Sequence, residues 1–165
     1  IQQAREALDD KPVTISALKY QLAFNVYCHD SKIGPGGYNE EEMKLAKETR
    51  KIFNCPDIAI TATCVRVPVL RAHSESINLE FTDPITPDQV RDLLSTAPGV
   101  RIVDDREKNR FPMPLDASGK DDVLVGRIRQ DESIPDNRGI NLWISGDQIR
   151  KGAALNAVQI AEKLF

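Results

Sequence analysis

The sequence predicts an α+β fold, with helices packed on a mainly antiparallel mixed sheet, and three observations predict it. Residues 76–81 set Ile77, Leu79 and Phe81 against Ser76, Asn78 and Glu80, the period-two pattern of a half-buried strand. Asn39 with Glu42, and Thr86 with Gln89, place an oxygen-bearing N-cap three residues before an acid or amide, a pattern that opens helices. DVLVGRIRQ and INLWISG are joined by the polar ESIPDNRG, as expected of an antiparallel pair, and no βαβ rhythm repeats along the chain.

In chain order, IQQAREAL reads as a helix to about Leu8, ended by DDKP. ALKYQLAFNVY reads as a strand region with Leu22, Phe24 and Val26 on one face, and IGPGGY as a flexible connection without GxGxxG spacing. Leu45, Thr49 and Ile52 continue the helix that Asn39 opens. IAITATCVRVPVL is rich in β-branched residues and predicts a strand released near Pro68. Pro87 at the first helical position, then Val90, Leu93 and Leu94, carry a helix to Ser95. GVRIVDD is a short strand, residues 111–120 a loop, and Leu155, Val158, Ala161 and Leu164 the apolar face of a terminal helix starting soon after Gly152. One domain over residues 1–165 accounts for all of this.

The chain's 165 residues carry 22 basic and 25 acidic side chains, with 41% hydrophobic residues, a composition able to bury a core. No window nears the roughly 18 continuous apolar residues of a membrane span. A net charge of −3 without a basic stripe argues against nucleic-acid binding, which needs clustered Lys and Arg. Three widely spaced cysteines and two histidines spell neither a disulfide framework nor a zinc site, so no metal is expected and a reducing compartment is. Ile1 is not an initiator methionine, so the chain reads as a processed or partial piece.

His29 and His73 are the side chains whose reference titration lies near neutrality, which makes each a candidate general base. Arg66, inside Val65-Arg66-Val67, needs an anion where it is buried: either a carboxylate ligand held by its planar fork or an inter-strand acid. At about 100° per residue, Glu41, Lys44 and Glu48 share one edge of the helix. They either line the rim of a pocket or form a solvated edge with ion pairing. The cysteines default to small apolar residues, with Cys64 packed.

TCVRVPV at 63–69 followed by HSES at 73–76 resembles the signature of the aspartate-β-semialdehyde dehydrogenases. AFN at 23–25, GYNEEEMKLAKETRKIF at 37–53, VGRIR at 125–129 and KGAALNAVQIAE at 151–162 match later segments of that family in the same order. The resemblance spans nearly the whole chain but covers only the family's C-terminal half. It implies the fold of the C-terminal domain of aspartate-semialdehyde and glyceraldehyde-3-phosphate dehydrogenases: a substrate-binding and dimerisation domain without the N-terminal NADP-binding domain or the segment bearing the catalytic cysteine. The implied activity is reduction of aspartyl-β-phosphate by NADPH to the semialdehyde and phosphate, through a thioester, in aspartate-family amino-acid biosynthesis.

By matching positions, the resemblance gives His73 the acid/base role, Arg66 the substrate α-carboxylate, Glu41 the α-ammonium, Lys44 the phosphate and Asn156 a place near the nicotinamide. It implies a homodimer, inactive as this half alone, in a cytoplasm or a plastid stroma. Cys28 stands where the family usually has proline, and Ala72 where it often has glycine. Two alternatives remain: a stand-alone, non-catalytic binding module of the same fold, and an acyl-phosphate reductase acting on an N-acetylated glutamyl phosphate. HSES and EEEMK fit the latter less well.

Overall fold

The computed structural model, which describes residues 1–165, divides into two compact units, Ile1–Pro68 and Val69–Phe165. The first unit holds α1 (Gln2–Leu8), β1 (Tyr27–Cys28), α2 (Glu40–Ile52) and β2 (Val65–Arg66). Both long strands expected here shrink to two residues each. In the first, the backbone turns at residues 22–25, where the Asn25 N–H donates to the Leu22 carbonyl at 3.1 Å and Phe24 takes a positive φ of 57°. The Leu22 and Ala23 N–H groups donate to Gln3 Oε1 at 3.0 and 3.3 Å, so a side chain stands in for a neighbouring strand. Phe24 and Val26, expected on one face of a strand, are exposed.

β1 and β2 pair antiparallel, Tyr27 opposite Arg66 and Cys28 opposite Val65. The ladder ends at the next pair in an unusual way. The His29 N–H donates to the Cys64 carbonyl at 2.8 Å, but the reciprocal bond is replaced. The Cys64 N–H donates instead to Glu42 Oε1 at 3.0 Å, and the His29 carbonyl accepts from Asn39 Nδ2 at 3.2 Å. Because hydrogen-bonded and non-hydrogen-bonded pairs alternate in such a ladder, the Cys28 N–H points away from β2. A proline at that position would therefore cost no ladder bond.

α2 opens on the expected capping box: Asn39 accepts from the Glu42 N–H at 3.0 Å and the Asn39 N–H donates to Glu42 Oε2 at 2.9 Å. Its inward face is displaced from the predicted one. Leu45 and Ile52 are exposed, and Glu42 and Ala46 are the buried residues. The polar work of Glu42, which links the cap to the end of the β ladder, draws that position inward.

The second unit is built on a four-stranded mixed sheet in the order β3 (His73–Glu80), β6 (Gly139–Gly146), β5 (Val123–Gln130), β4 (Val100–Ile102). The β3–β6 and β6–β5 pairs are antiparallel and β5–β4 is parallel, as the α+β expectation requires. α3 (Pro87–Ser95) covers one face, its Thr86–Gln89 capping box formed as predicted. Val90, Val125, Ile128, Ile140 and Leu142 form the buried centre, with Ile77, Leu79 and Phe81 against it. α4 (Pro114–Ala117) appears inside the predicted loop and brings Ala117 against Leu124 and Ala72. α5 (Leu155–Leu164) follows a π-helical turn at Arg150–Ala154.

β5 carries a bulge between Gly126 and Arg129. A Cβ at Gly126 would lie 2.1 Å from the Val103 carbonyl oxygen, so only glycine fits where the backbones approach. Arg127 sits in the bulge at φ 53°. The freed N–H groups of Arg127 and Ile128 donate to Asp104 at 2.7 and 3.3 Å.

Candidate functional site

Three of the predicted site residues, Arg66, Glu41 and Lys44, lie in the first unit, and the structure joins them through a line of hydrogen bonds. Arg66, at the end of β2, donates from Nε to Asp30 Oδ1 at 3.1 Å and from Nη2 to His29 Nε2 at 2.9 Å. His29 Nδ1 lies 3.1 Å from Ser31 Oγ, and Ser31 Oγ accepts from the Glu41 N–H at 3.4 Å. Lys44 Nζ pairs with Glu41 Oε1, also at 3.4 Å. The sequence DSKIGPGGYNEEE folds this way because the Gly-rich turn, with Gly37 at φ 82°, returns the chain from β1 to the start of α2. The Glu40 N–H then donates to the Lys32 carbonyl at 3.0 Å.

Both readings left open for these residues are realised in their ionic form. Arg66 makes the ion pair to an acid of its own unit, with Asp30. Glu41 and Lys44 make the i,i+3 pair of a helix edge. The Arg66 side chain nonetheless remains 35% exposed against 17% for Asp30, and Lys44 is 55% exposed, so both cations face solvent. The Arg66 guanidinium holds the Asp30 carboxyl below the usual carboxylate range. The Asn39 and Cys64 N–H groups do the same for Glu42, so both acids are charged at neutral pH.

His73 and Asn156 belong to the second unit. His73 is the first residue of β3, paired with Gly146, and its imidazole is exposed. What precedes it is tightly held. Ala72 is buried and adopts φ 78°, a left-handed conformation that glycine takes without strain, which accounts for glycine at this position in the family pattern. The Ala72 N–H donates to Gln148 Oε1 at 2.7 Å. Arg71 Nε donates to Asp147 Oδ2 at 2.8 Å.

Asp147 is almost fully buried. It also accepts from the N–H groups of Gly119 at 2.7 Å, Ile149 at 2.9 Å and Arg150 at 3.1 Å. Burial pushes its carboxyl up, yet these backbone donors and Arg71 outweigh it and hold the group far below the carboxylate range. Asp147 thus ties the approach to His73 to the turn that leads into α5. Asn156 lies exposed on the first turn of α5.

Sequence reasoning missed Asp30, Ser31 and Asp147. For Asp30 and Ser31 the signal was adjacency to His29, a residue already flagged; Asp147, a lone acid after a strand, gave none. The cysteines depart from the packed expectation: Cys28 and Cys55 are exposed and Cys64 is half-buried. No group of three or more His, Cys, Asp or Glu side chains is arranged to hold a metal ion, and no helix is long and apolar enough to cross a membrane.

Comparison with known proteins gives a consistent answer. The family model described as semialdehyde dehydrogenase, dimerisation domain, matches residues 1–151. An aspartate-semialdehyde dehydrogenase of Synechocystis is 60% identical over 162 residues, covering 98% of this chain and 47% of the relative. One from Legionella pneumophila is 48% identical over 165 residues, 99% of the chain and 47% of the relative. The crystal structure of aspartate semialdehyde dehydrogenase II from Vibrio cholerae complexed with ASA is 44% identical with a TM-score of 0.90, over 97% of this chain and 46% of that one. The chain spans about half the length of the curated relatives it matches.

Proposed function

The chain belongs to the semialdehyde dehydrogenase dimerisation-domain family, and from that premise we propose that it is the C-terminal, substrate-binding and dimerisation half of an NADP-dependent aspartate-semialdehyde dehydrogenase. The observation that carries the reading is the line Arg66, His29, Ser31, Glu41, Lys44 in the first unit. It strings a guanidinium, a carboxylate and an ammonium along one connected edge, the charge order needed to meet a substrate with carboxylate, ammonium and phosphate groups. Arg66 faces the α-carboxylate, Glu41 the α-ammonium and Lys44 the phosphate. The complex of the Vibrio cholerae relative with ASA supports this substrate class.

His73 holds and returns a proton during formation and breakdown of the acyl intermediate. Its exposed ring, delivered by the anchored Arg71–Ala72 turn, suits that role. NADPH supplies the hydride. Within this chain the exposed carboxamide of Asn156 fits a contact to the nicotinamide end, while no Gly-rich strand-to-helix loop is present to hold the pyrophosphate. Most of the cofactor's contacts therefore belong to the N-terminal domain. The functional assembly is a homodimer, and this half alone has no dehydrogenase activity.

The test is kinetic. In the full-length enzyme His73→Asn keeps similar size and some hydrogen bonding but cannot exchange a proton near neutrality. We expect kcat to fall by roughly 10² to 10⁴ with a smaller change in KM. An unchanged kcat would reduce His73 to a structural residue. Sedimentation of the 165-residue chain should show a dimer without activity, and a strictly monomeric mass at high concentration would remove the dimer assignment.

A further inference from the structure

We propose that His29 is a positioning residue for Arg66: a neutral acceptor that fixes the plane of the guanidinium without cancelling its charge. The inference rests on the reading of Arg66 as the carboxylate clamp. A guanidinium has no lone pair to offer, so at the 2.9 Å contact Arg66 Nη2 must donate and His29 Nε2 must accept. A neutral imidazole accepting there carries its one N–H on Nδ1, where Ser31 Oγ at 3.1 Å can accept it, a shorter contact than the 3.3 Å approach of the Ser31 N–H to the same nitrogen. Ser31 is in turn anchored by the Glu41 N–H at the start of α2. The Arg66 contact needs the lone pair of His29 Nε2, and Ser31 meets the other ring nitrogen through both its hydroxyl and its backbone N–H.

Two consecutive residues, His29 and Asp30, thereby engage adjacent N–H groups of one planar fork. That leaves Arg66 little freedom to rotate. The choice of histidine over a second acid has an electrostatic consequence. Arg66, Asp30 and a neutral His29 sum to zero charge, whereas two carboxylates on the same guanidinium would make the group anionic and repel a substrate carboxylate. Glu42 is committed to the Asn39 and Cys64 N–H groups. It therefore does not compete for Arg66.

Amide substitutions separate position from polarity. His29→Gln can place its carbonyl where Nε2 lies, and His29→Asn reaches only as far as Nδ1. In the full-length enzyme we expect His29→Gln to keep the semialdehyde KM within about 3-fold, and His29→Asn to raise it about 10-fold with kcat within about 3-fold and the phosphate KM unchanged. In an Arg66→Lys background, His29→Asn should add less than about 3-fold, because the fork it positions is gone. Equal KM values for Gln and Asn, or a full 10-fold effect persisting without the Arg66 fork, would overturn the positioning role. If Arg66→Lys raises the semialdehyde KM and His29→Asn does not, the His29 inference alone fails. If Arg66→Lys leaves that KM unchanged, the clamp reading falls and takes His29 with it.

Discussion

The two units solve one structural problem with different means. Where a β ladder stops, backbone N–H groups must find new acceptors. In the first unit Glu42 supplies them, serving Asn39 and Cys64, and the unit's other buried side chains are few, with Ala46 the one buried apolar residue. In the second unit Asp104 serves the bulge of β5 and Asp147 the end of β6, but a contiguous apolar core from Val90 to Ile140 stands beside them. The first unit is held by side chains bonded to backbone, the second by apolar burial with acidic pins at its edges. The difference matters for function, because a frame rich in polar bonds can hold Arg66, Glu41 and Lys44 close to solvent, whereas a rigid core can hold one histidine behind a strained turn.

The comparison predicts that Asp147 is the most damaging acid to lose. Asp147→Ala strands three N–H groups at a buried point and removes the partner of Arg71, so the thermal midpoint of the second unit should fall by more than about 10 °C. A fall under about 3 °C would show that the core, and not the pin, holds that turn. Glu42→Gln keeps one carbonyl oxygen for two N–H donors and turns an amide NH₂ toward the other. A midpoint loss of about 5 °C is expected, confined to the first unit when followed by hydrogen exchange at the Cys64 amide.

Acidification should rank the same two groups. Both carboxyls titrate lower in the folded chain than in the unfolded one. Their stabilisation is therefore complete above the unfolded values and is lost as the pH falls through the folded ones. Urea midpoints should hold steady above about pH 5 and decline below about pH 4. Asp147→Asn should flatten that decline more than Glu42→Gln does, since its folded value lies further down. The smallest effect belongs to Ala72→Gly, which relieves the left-handed backbone before His73 at the cost of a freer unfolded chain. A midpoint gain of about 2 °C or none is expected, with kcat unchanged. A loss would mean that the Ala72 methyl contributes more to its packing against Ala117 and Leu124 than its φ costs.

How much of this the residues announce differs between the units for the same physical reason. The second unit follows hydrophobic periodicity, so β3, the β5–β6 pair and α3 with its capping box are legible in Ile77, Leu79, Val90 and the turn residues. Periodicity misleads in the first unit. Leu22, Phe24 and Val26 alternate but have no strand to pair with, and Gln3 supplies the acceptor instead. On α2 the stripe of Leu45 and Ile52 is exposed while Glu42 is drawn inward by two N–H donors, which no apolar pattern encodes. Of the site, Arg66, Glu41, Lys44, His73 and Asn156 are named by motif resemblance. Asp30, Ser31 and Asp147 act through bonds to residues 10 to 76 positions away, and sequence spacing does not reveal such partners.

The central claim is that the polar line of the first unit reads the substrate, with Arg66 on its carboxylate and Lys44 on the phosphate. It is tested most directly by paired titrations of the full-length enzyme in the phosphorylating direction, one in semialdehyde and one in phosphate, on Arg66→Lys and Lys44→Ala. Arg66→Lys keeps the charge but loses the bidentate fork, so the semialdehyde response should weaken by about 30-fold or more, roughly 2 kcal/mol, with the phosphate response nearly intact. Lys44→Ala should do the reverse. If Arg66→Lys alters only the phosphate titration, or Lys44→Ala only the semialdehyde one, the assignment of the two cations is wrong.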